Sequence, residues 1–376
     1  MFFHMIIERR KMMEKGKISS LQMAIMMYPA IVATAILGVP SITAKYAKTD
    51  LWLSPILASF LGYATVYIAY KLHKHYPKET VIQFSEHIMG RFAGKILGFL
   101  FCFFYIQVAG LIVREYAEFV VDSFLVNTPI SVIMGSIIFL CALTVYGGLE
   151  VLGRAAQVFF PIFILAIFFF SIFLGPDFEW KNIFPILGNG VMPPIKGGIV
   201  PGGWFTEFFL ISFLLPFLAD QKKGMKYGMM TVFVVTMTLV LINLIVLFVL
   251  GPATSFKVYP LMSVARYISL ADFFEHLESF IMAVWIVGAF IKLSVFYYAA
   301  ALSTAQWLNL SNYRPIVWPI GILILEFSFW SLPNTMGLER YLVGTFPLFA
   351  LLIQTIIPLF LLMMASIRKR KRQASQ

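Results

Sequence analysis

A chain of 376 residues that is 60% hydrophobic, 16% aromatic and only 12% charged, with a mean hydropathy of +0.86, lies far from soluble domains, which are about 25% charged. No water-soluble core hides that much apolar surface, so a soluble globular protein is excluded and a bilayer is part of the solvent. The net charge of +11 reads as basic topogenic loops, not as a nucleic-acid surface.

In chain order, residues 1–18 form a mixed, basic segment without a cleavage site, expected to be a retained cytoplasmic tail and not a signal peptide. Residues 19–366 read as a single transmembrane domain of all-α class, and 367–376 as a basic cytoplasmic tail. A spanning helix needs about 20 mostly apolar residues. Ten runs qualify: 19–44, 51–72, 96–124, 129–147, 151–174, 203–219, 227–250, 279–308, 315–333 and 341–366. Two longer connections interrupt the rhythm. Residues 73–95 contain an amphipathic stretch expected as a short cytoplasmic helix, and 251–277 suggest an external interfacial helix. With the N-terminus inside and ten crossings, the inner segments hold twenty Lys and Arg and the outer loops seven. That asymmetry orients both termini to the cytoplasm. Cys102 and Cys141 fall inside apolar runs, where they read as small core residues without disulfide or metal spacing.

The first run carries Ala33-Thr34-Ala35, then Gly38 and Pro40. Proline removes a backbone donor and glycine eases departure from helical geometry, so a kink or a ligand cradle is expected here. The sixth run is preceded by Pro193, Pro194, Gly197, Gly198, Pro201, Gly202 and Gly203, crowded before Trp204-Phe205-Thr206-Glu207. Each run opens one five-helix half, and discontinuous helices at corresponding places in two halves point to the substrate site of a secondary transporter.

Charges inside a bilayer are costly and tend to be paired or functional. Glu207 sits where a helix would restart after the glycines. It reads either as the partner of a substrate ammonium, a gate or a proton site, or as a plain carboxylate at a helix N-terminus. Lys292, deep in the eighth run, reads either as an ion-coupling amine or as a structural partner of Glu207 or Glu326. Arg114 and Glu118 are spaced to pair on one helix face. Tyr105, Tyr297 and Tyr298 are candidates to donate a hydroxyl to a ligand, against the plainer reading of packed aromatics. There is no phosphate loop, zinc motif or nucleophile elbow, so neither an enzyme nor a cofactor is expected.

Three stretches, GKISSLQMAIMMYPAIVATAILGVPS, Trp204-Phe205-Thr206-Glu207 and FFEHLESFIMAVWIVGAFIKLSVFYY, together resemble the B-subunit family of spore germination proteins, the permease-like subunits of nutrient germinant receptors. The resemblance covers nearly the whole chain. It implies the amino acid–polyamine–organocation superfamily, with its LeuT-type five-plus-five inverted repeat. It further implies a sensor of a small nutrient, often an amino acid, acting with an A subunit and a lipoprotein C subunit in the spore inner membrane. The pocket so implied comprises Thr34, Ala35, Gly38, Tyr105, Phe205, Thr206, Glu207, Ser294 and Tyr297, with Lys292 and Glu207 as coupling or gating groups. Two departures stand out: Ala33-Thr34-Ala35-Ile36-Leu37 where the family has Gly-x-Gly-Ile-Leu, and Phe205-Thr206-Glu207 where it has Phe-Gly-Glu. Side chains thus stand where open backbone would be. A proton-coupled amino acid transporter is the alternative on the same fold.

Overall fold

The computed structural model describes Glu14, residues 16–266, 277–330 and 335–374. Among these residues the backbone is helical apart from connections and one isolated parallel bridge, Ile18 to Leu218. Among the described residues, nine helices are long and apolar enough to cross a membrane. A tenth apolar helix, Val317–Trp330, lies between the eighth and the last of them and counts below as the ninth span.

The first span, Ser20–Ala47, starts at a reciprocal cap in which Ser19 and Gln22 satisfy each other's backbone donors. The second is Leu53–His75. The expected amphipathic helix follows as Val81–Met89, and Gly90 turns the chain into the third span, Arg91–Ser123. The fourth and fifth, Ile130–Gly147 and Leu149–Phe173, are separated by Gly148 alone, whose φ of 102° lies in the region that favours glycine. The sixth span, Met192–Phe217, is composite. The seventh is Gly224–Leu250 and the eighth Leu277–Trp307. The tenth, Met336–Arg368, includes two π-helical turns, Tyr341–Thr345 and Leu352–Ile356. Of the expected external helix, Pro260–Ala265 is present, and 267–276 lie outside the described residues.

Burial sorts the spans. In the most apolar stretches of the first and sixth, 89% and 94% of residues are buried, against 39% and 22% in the fourth and fifth. Spans one and six are therefore the heart of the bundle, while large apolar side chains such as Phe60, Phe139, Phe168 and Ile322 face outward, as a lipid-embedded surface requires. Span eight packs on spans one and three, span one packs on span six, and aromatic pairs tie span three to the second half of span six.

The expected breaks are relocated. Span one stays helical through Pro29 and Pro40. Around Pro40, hydroxyls satisfy neighbouring carbonyls: Ser41 Oγ donates to Gly38 O (3.1 Å), and Thr43 Oγ1 to Val39 O (2.7 Å) and Pro40 O (3.2 Å). Span six is helical from Met192 through Thr206, straight across the glycines, and changes to a 3-10 turn only at Glu207–Leu210. The glycines serve close packing. A Cβ at Gly198 would stand 3.0 Å from the Ser54 carbonyl, and one at Gly203 3.0 Å from Pro347 Cα. Small residues let membrane helices approach closely, and span six uses its glycines to meet spans two and ten.

Candidate functional site

Glu207 stands where the first half of span six hands over to a 3-10 turn, closing the one segment and opening the other. There the C-terminal end of one segment meets the N-terminal end of the next, so the segment dipoles offset each other and a buried charge needs another answer. Lys292 Nζ supplies it, 2.7 Å from Glu207 Oε2, with both side chains 1% exposed. The ammonium also lies 5.3 Å from the centre of the Phe296 ring. A fully buried ion pair thus ties the interruption of span six to the middle of span eight. Mid-helix 3-10 segments frequently mark hinges, and the pair sits on this one.

On one side of the pair runs a polar chain across three spans. The Tyr105 hydroxyl (span three) donates to Gln354 Oε1 (span ten) at 3.4 Å. Gln354 Nε2 donates to Thr206 Oγ1 at 3.4 Å, and Thr206 in turn donates to Gly203 O at 2.7 Å. The Tyr105 ring is edge-on to Phe213 at 5.1 Å and faces Phe296 at 6.1 Å, so one side chain joins spans three, six and eight. On span one, Thr34 Oγ1 accepts from Trp204 Nε1 at 3.0 Å, and the Ala33 carbonyl accepts from the Trp285 indole. Two indoles from spans six and eight therefore already occupy polar groups of the Ala33–Ala35 segment. Ala35 beside them is fully buried.

The structure brings Thr34, Tyr105, Thr206, Glu207 and Lys292 to the junction of spans one, three, six and eight, and leaves four other expected residues outside it. Ser294 is two residues beyond Lys292, hence on another helix face, and lies beside Cys141 of span four. The Tyr297 hydroxyl donates to the Val317 carbonyl, toward span nine. Phe205 packs toward Gly62 of span two and stacks on Phe208 at 6.4 Å. Gly38 lies one turn beyond Thr34 on span one, half-buried, with only Ile42 of its own helix near the place a Cβ would take. Arg114 and Glu118 do pair, at 2.7 Å. Glu326 is exposed on span nine, away from the junction. Tyr298 is buried beside Tyr313 and does not reach Glu207. Sequence reasoning missed Gln354, a lone amide in an apolar run, and the roles of the indoles of Trp204 and Trp285. The isolated polar residue in LLIQTIIP was the available signal.

Next to the junction is an apolar cavity of about 40 Å³, bounded by Ile36 and Leu37 of span one, Phe119 of span three, Phe163 of span five and Trp285 of span eight. Among the described residues no group of three or more His, Cys, Asp or Glu is placed to hold a metal ion.

A family model described as spore germination protein matches residues 17–336. The chain belongs to the spore germination protein family. Its relatives include spore germination protein KB of Bacillus subtilis, 26% identical over 97% of this chain and 98% of that protein. Spore germination protein YndE of the same organism is 27% identical over 94% of this chain and 98% of its own length. Among solved structures, a Na+-coupled sialic acid symporter superposes with a TM-score of 0.65 at 12% identity, covering 90% of this chain and 79% of that one. A manganese transporter of Eremococcus coleocola gives 0.61 at 14% identity, covering 93% and 82%. At such identities the likeness concerns the fold, which is the LeuT-type ten-helix arrangement of an integral multi-pass membrane protein.

Proposed function

We propose that this spore germination family protein is the membrane subunit of a nutrient germinant receptor, binding a small nutrient, an amino acid by class, where spans one, three, six and eight meet. The observation that carries the reading is the buried Glu207–Lys292 pair placed on the 3-10 interruption of span six. Buried ion pairs are seldom a net source of stability, since desolvation offsets the attraction. A pair set on a helix interruption is better suited to switching: a zwitterionic or ammonium ligand competes for the same charges, and the half-helices move when the pair opens. Names of relatives that speak of spore germination favour a signalling outcome over bulk transport. In this reading both termini are cytoplasmic, the membrane is that of the spore interior, and an A subunit and a lipoprotein C subunit receive the signal. Thr34, Tyr105 and Thr206 line the ligand's approach to the pair, and Lys292 and Glu207 gate it.

The test uses spores whose copy of this protein carries Glu207→Gln. They are expected to lose germination with a panel of amino acids while still germinating with a trigger that bypasses nutrient receptors. Unchanged nutrient germination would defeat the proposal. A second reading, a proton-coupled amino acid transporter, draws on the two transporters that share the fold. It requires gradient-driven accumulation in proteoliposomes, which a pure sensor does not give.

A further inference from the structure

Span one is entered through a polar stretch, Glu14 and residues 16–19, that ties separate elements together. Glu14 is 3% exposed. Its Oε2 accepts from the Leu149 N–H at 3.2 Å and from the Tyr313 hydroxyl at 2.9 Å, and its Oε1 from the Gly16 N–H at 2.8 Å. Leu149 is the first residue of span five, and Gly148 before it has no side chain to cap the helix. Glu14 serves as that cap from a distance, while Tyr313 brings in the connection between spans eight and nine. Two further bonds reach span five: the Lys17 N–H donates to Glu150 Oε1 and Gln22 Nε2 to Gln157 Oε1, both at 3.0 Å. The other foot of the stretch stands on span six. The Ile18 N–H donates to Phe217 O at 3.1 Å, and the Ala219 N–H to Ile18 O at 2.9 Å. Ser20, the first residue of span one, donates to Asp220 Oδ1 from its backbone at 2.7 Å and its hydroxyl at 2.8 Å. Phe217 ends the half of span six that begins at Glu207.

Three features mark this joint as one that opens. Span five is the least buried of the nine long spans, with 22% of its most apolar stretch inside the bundle, so little else holds it. A polar cavity of about 350 Å³ lies against the joint, bordered by Glu14, Gly148, Glu150, Arg154 and Arg314. Water in it competes for the same hydrogen bonds, and bonds that water can replace open at small net cost. Finally, Tyr298 of span eight meets Tyr313 edge-on at 5.6 Å, and its hydroxyl is buried without a partner among the described residues. The closed form carries that desolvation penalty, and a form that admits water does not. Deeper in the bundle, Tyr28 of span one meets Phe160 and Phe163 of span five edge-on at 5.3 and 5.9 Å. This apolar contact survives the loss of the polar one and supplies a pivot.

We propose that Glu14 and residues 16–20 form a clasp that opens and closes: when Glu14 leaves the head of span five, the neighbouring ends of spans one and five part about the Tyr28 contact. The device goes beyond nutrient binding and holds whatever occupies the central junction. Its two feet set its mechanics. The half-helix that begins at Glu207 ends on Ile18, so a shift at the buried pair pulls on the clasp through span six. Tyr298 lies six residues beyond Lys292 on span eight, so a movement of that helix bears on Tyr313 and through it on Glu14. Closed, the clasp hides the Glu14 carboxylate and leaves the Tyr298 hydroxyl without a partner. Open, water reaches both.

The experiment measures distances between spin labels by dipolar EPR on the full-length protein in lipid nanodiscs. One pair, Leu21→Cys and Val151→Cys, sits at exposed positions beside the clasp; the control pair, Tyr46→Cys and Phe173→Cys, sits at the far ends of the same two spans. Cys102 and Cys141 are buried and stay unlabelled. Glu14→Ala is expected to add a population of the near pair longer by about 5 Å, the rise of one helical turn, and to leave the far pair unchanged. Glu14→Gln, which keeps the size and one accepting oxygen, should restore most of the short distance. In case Glu14→Ala folds poorly, Tyr313→Phe removes a single donor and should give a smaller share of the same long population. A near pair that stays short in both Glu14→Ala and Tyr313→Phe overturns the proposal. So does a far pair that lengthens as much as the near one, because that is general loosening and not a clasp.

Discussion

Removing one partner of the Glu207–Lys292 pair should be far worse than removing both. At an N–O distance of 2.7 Å with 1% exposure on each side, the charge centres are about 4 Å apart, and an effective dielectric near 20 gives an attraction of about 4 kcal/mol. Lys292→Met strands a buried carboxylate and Glu207→Gln strands a buried ammonium. Breaking a buried pair in this way costs about 3–5 kcal/mol, or about two to four decades in the folding equilibrium at 1.4 kcal/mol per decade. The double variant loses the attraction but also sheds both desolvation penalties, and such replacements are often neutral or stabilising by about 1–4 kcal/mol. Reversible unfolding in mixed micelles with rising SDS fraction gives the four corners of the cycle. A coupling of about 3 kcal/mol or more is expected, with the double variant near the wild type. Additive effects, with a coupling below about 0.5 kcal/mol, would show that the two groups do not depend on each other.

Gly94→Ala should destabilise by about 1–3 kcal/mol as an overpacking change, because its Cβ would press on the Glu86 backbone, 2.7 Å from the Glu86 nitrogen; faster amide exchange in Val81–Met89 is the readout. Trp204→Phe removes the donor to Thr34 and should cost about 0.5–1.5 kcal/mol for that bond, seen as a lowered unfolding midpoint. Glu326→Leu should raise the unfolding midpoint in lipid, because it replaces an exposed carboxylate in an apolar span. On Asp220, burial alone would raise the carboxyl. Hydrogen bonds from the Ser20 backbone N–H (2.7 Å) and hydroxyl (2.8 Å) outweigh it and hold the group below its ordinary 3.8. A depressed acid stabilises the fold above its ordinary value and loses that contribution as pH falls through the lowered one. Acid unfolding should therefore start at higher pH in Asp220→Asn, and an unchanged acid midpoint would refute the link.

The fold was legible because lipid imposes one rule on every span, and runs of about 20 apolar residues announce it. Among the described residues nine helices meet that expectation, with Val317–Trp330 as the shorter tenth. The site was less legible, for local reasons. Glycine and proline lower the cost of leaving a helix, but the same glycines allow close packing, and spacing alone does not distinguish the two uses. Gly197, Gly198, Gly202 and Gly203 lie in close helix packing, and the interruption falls after them, at Glu207. Lys292 and Glu207 were conspicuous as charges in apolar runs, and their mutual pairing was one of the readings left open. Ser294 and Tyr297 illustrate helix phase: from Lys292, steps of two and five residues lead to other faces, toward Cys141 and Val317. Gln354 stands out in the sequence only as a lone amide in an apolar run, and its significance comes from Tyr105 and Thr206 on other spans.

The central claim is that a small nutrient engages the buried pair at the junction of spans one, three, six and eight. It is tested most directly by binding a panel of labelled amino acids to the full-length protein in nanodiscs, wild type beside Glu207→Gln and the Lys292→Met/Glu207→Gln double variant. Saturable binding of at least one amino acid, lost in both variants while the double variant stays folded, is the result expected. Binding that survives in the folded double variant would place the nutrient elsewhere and contradict the account.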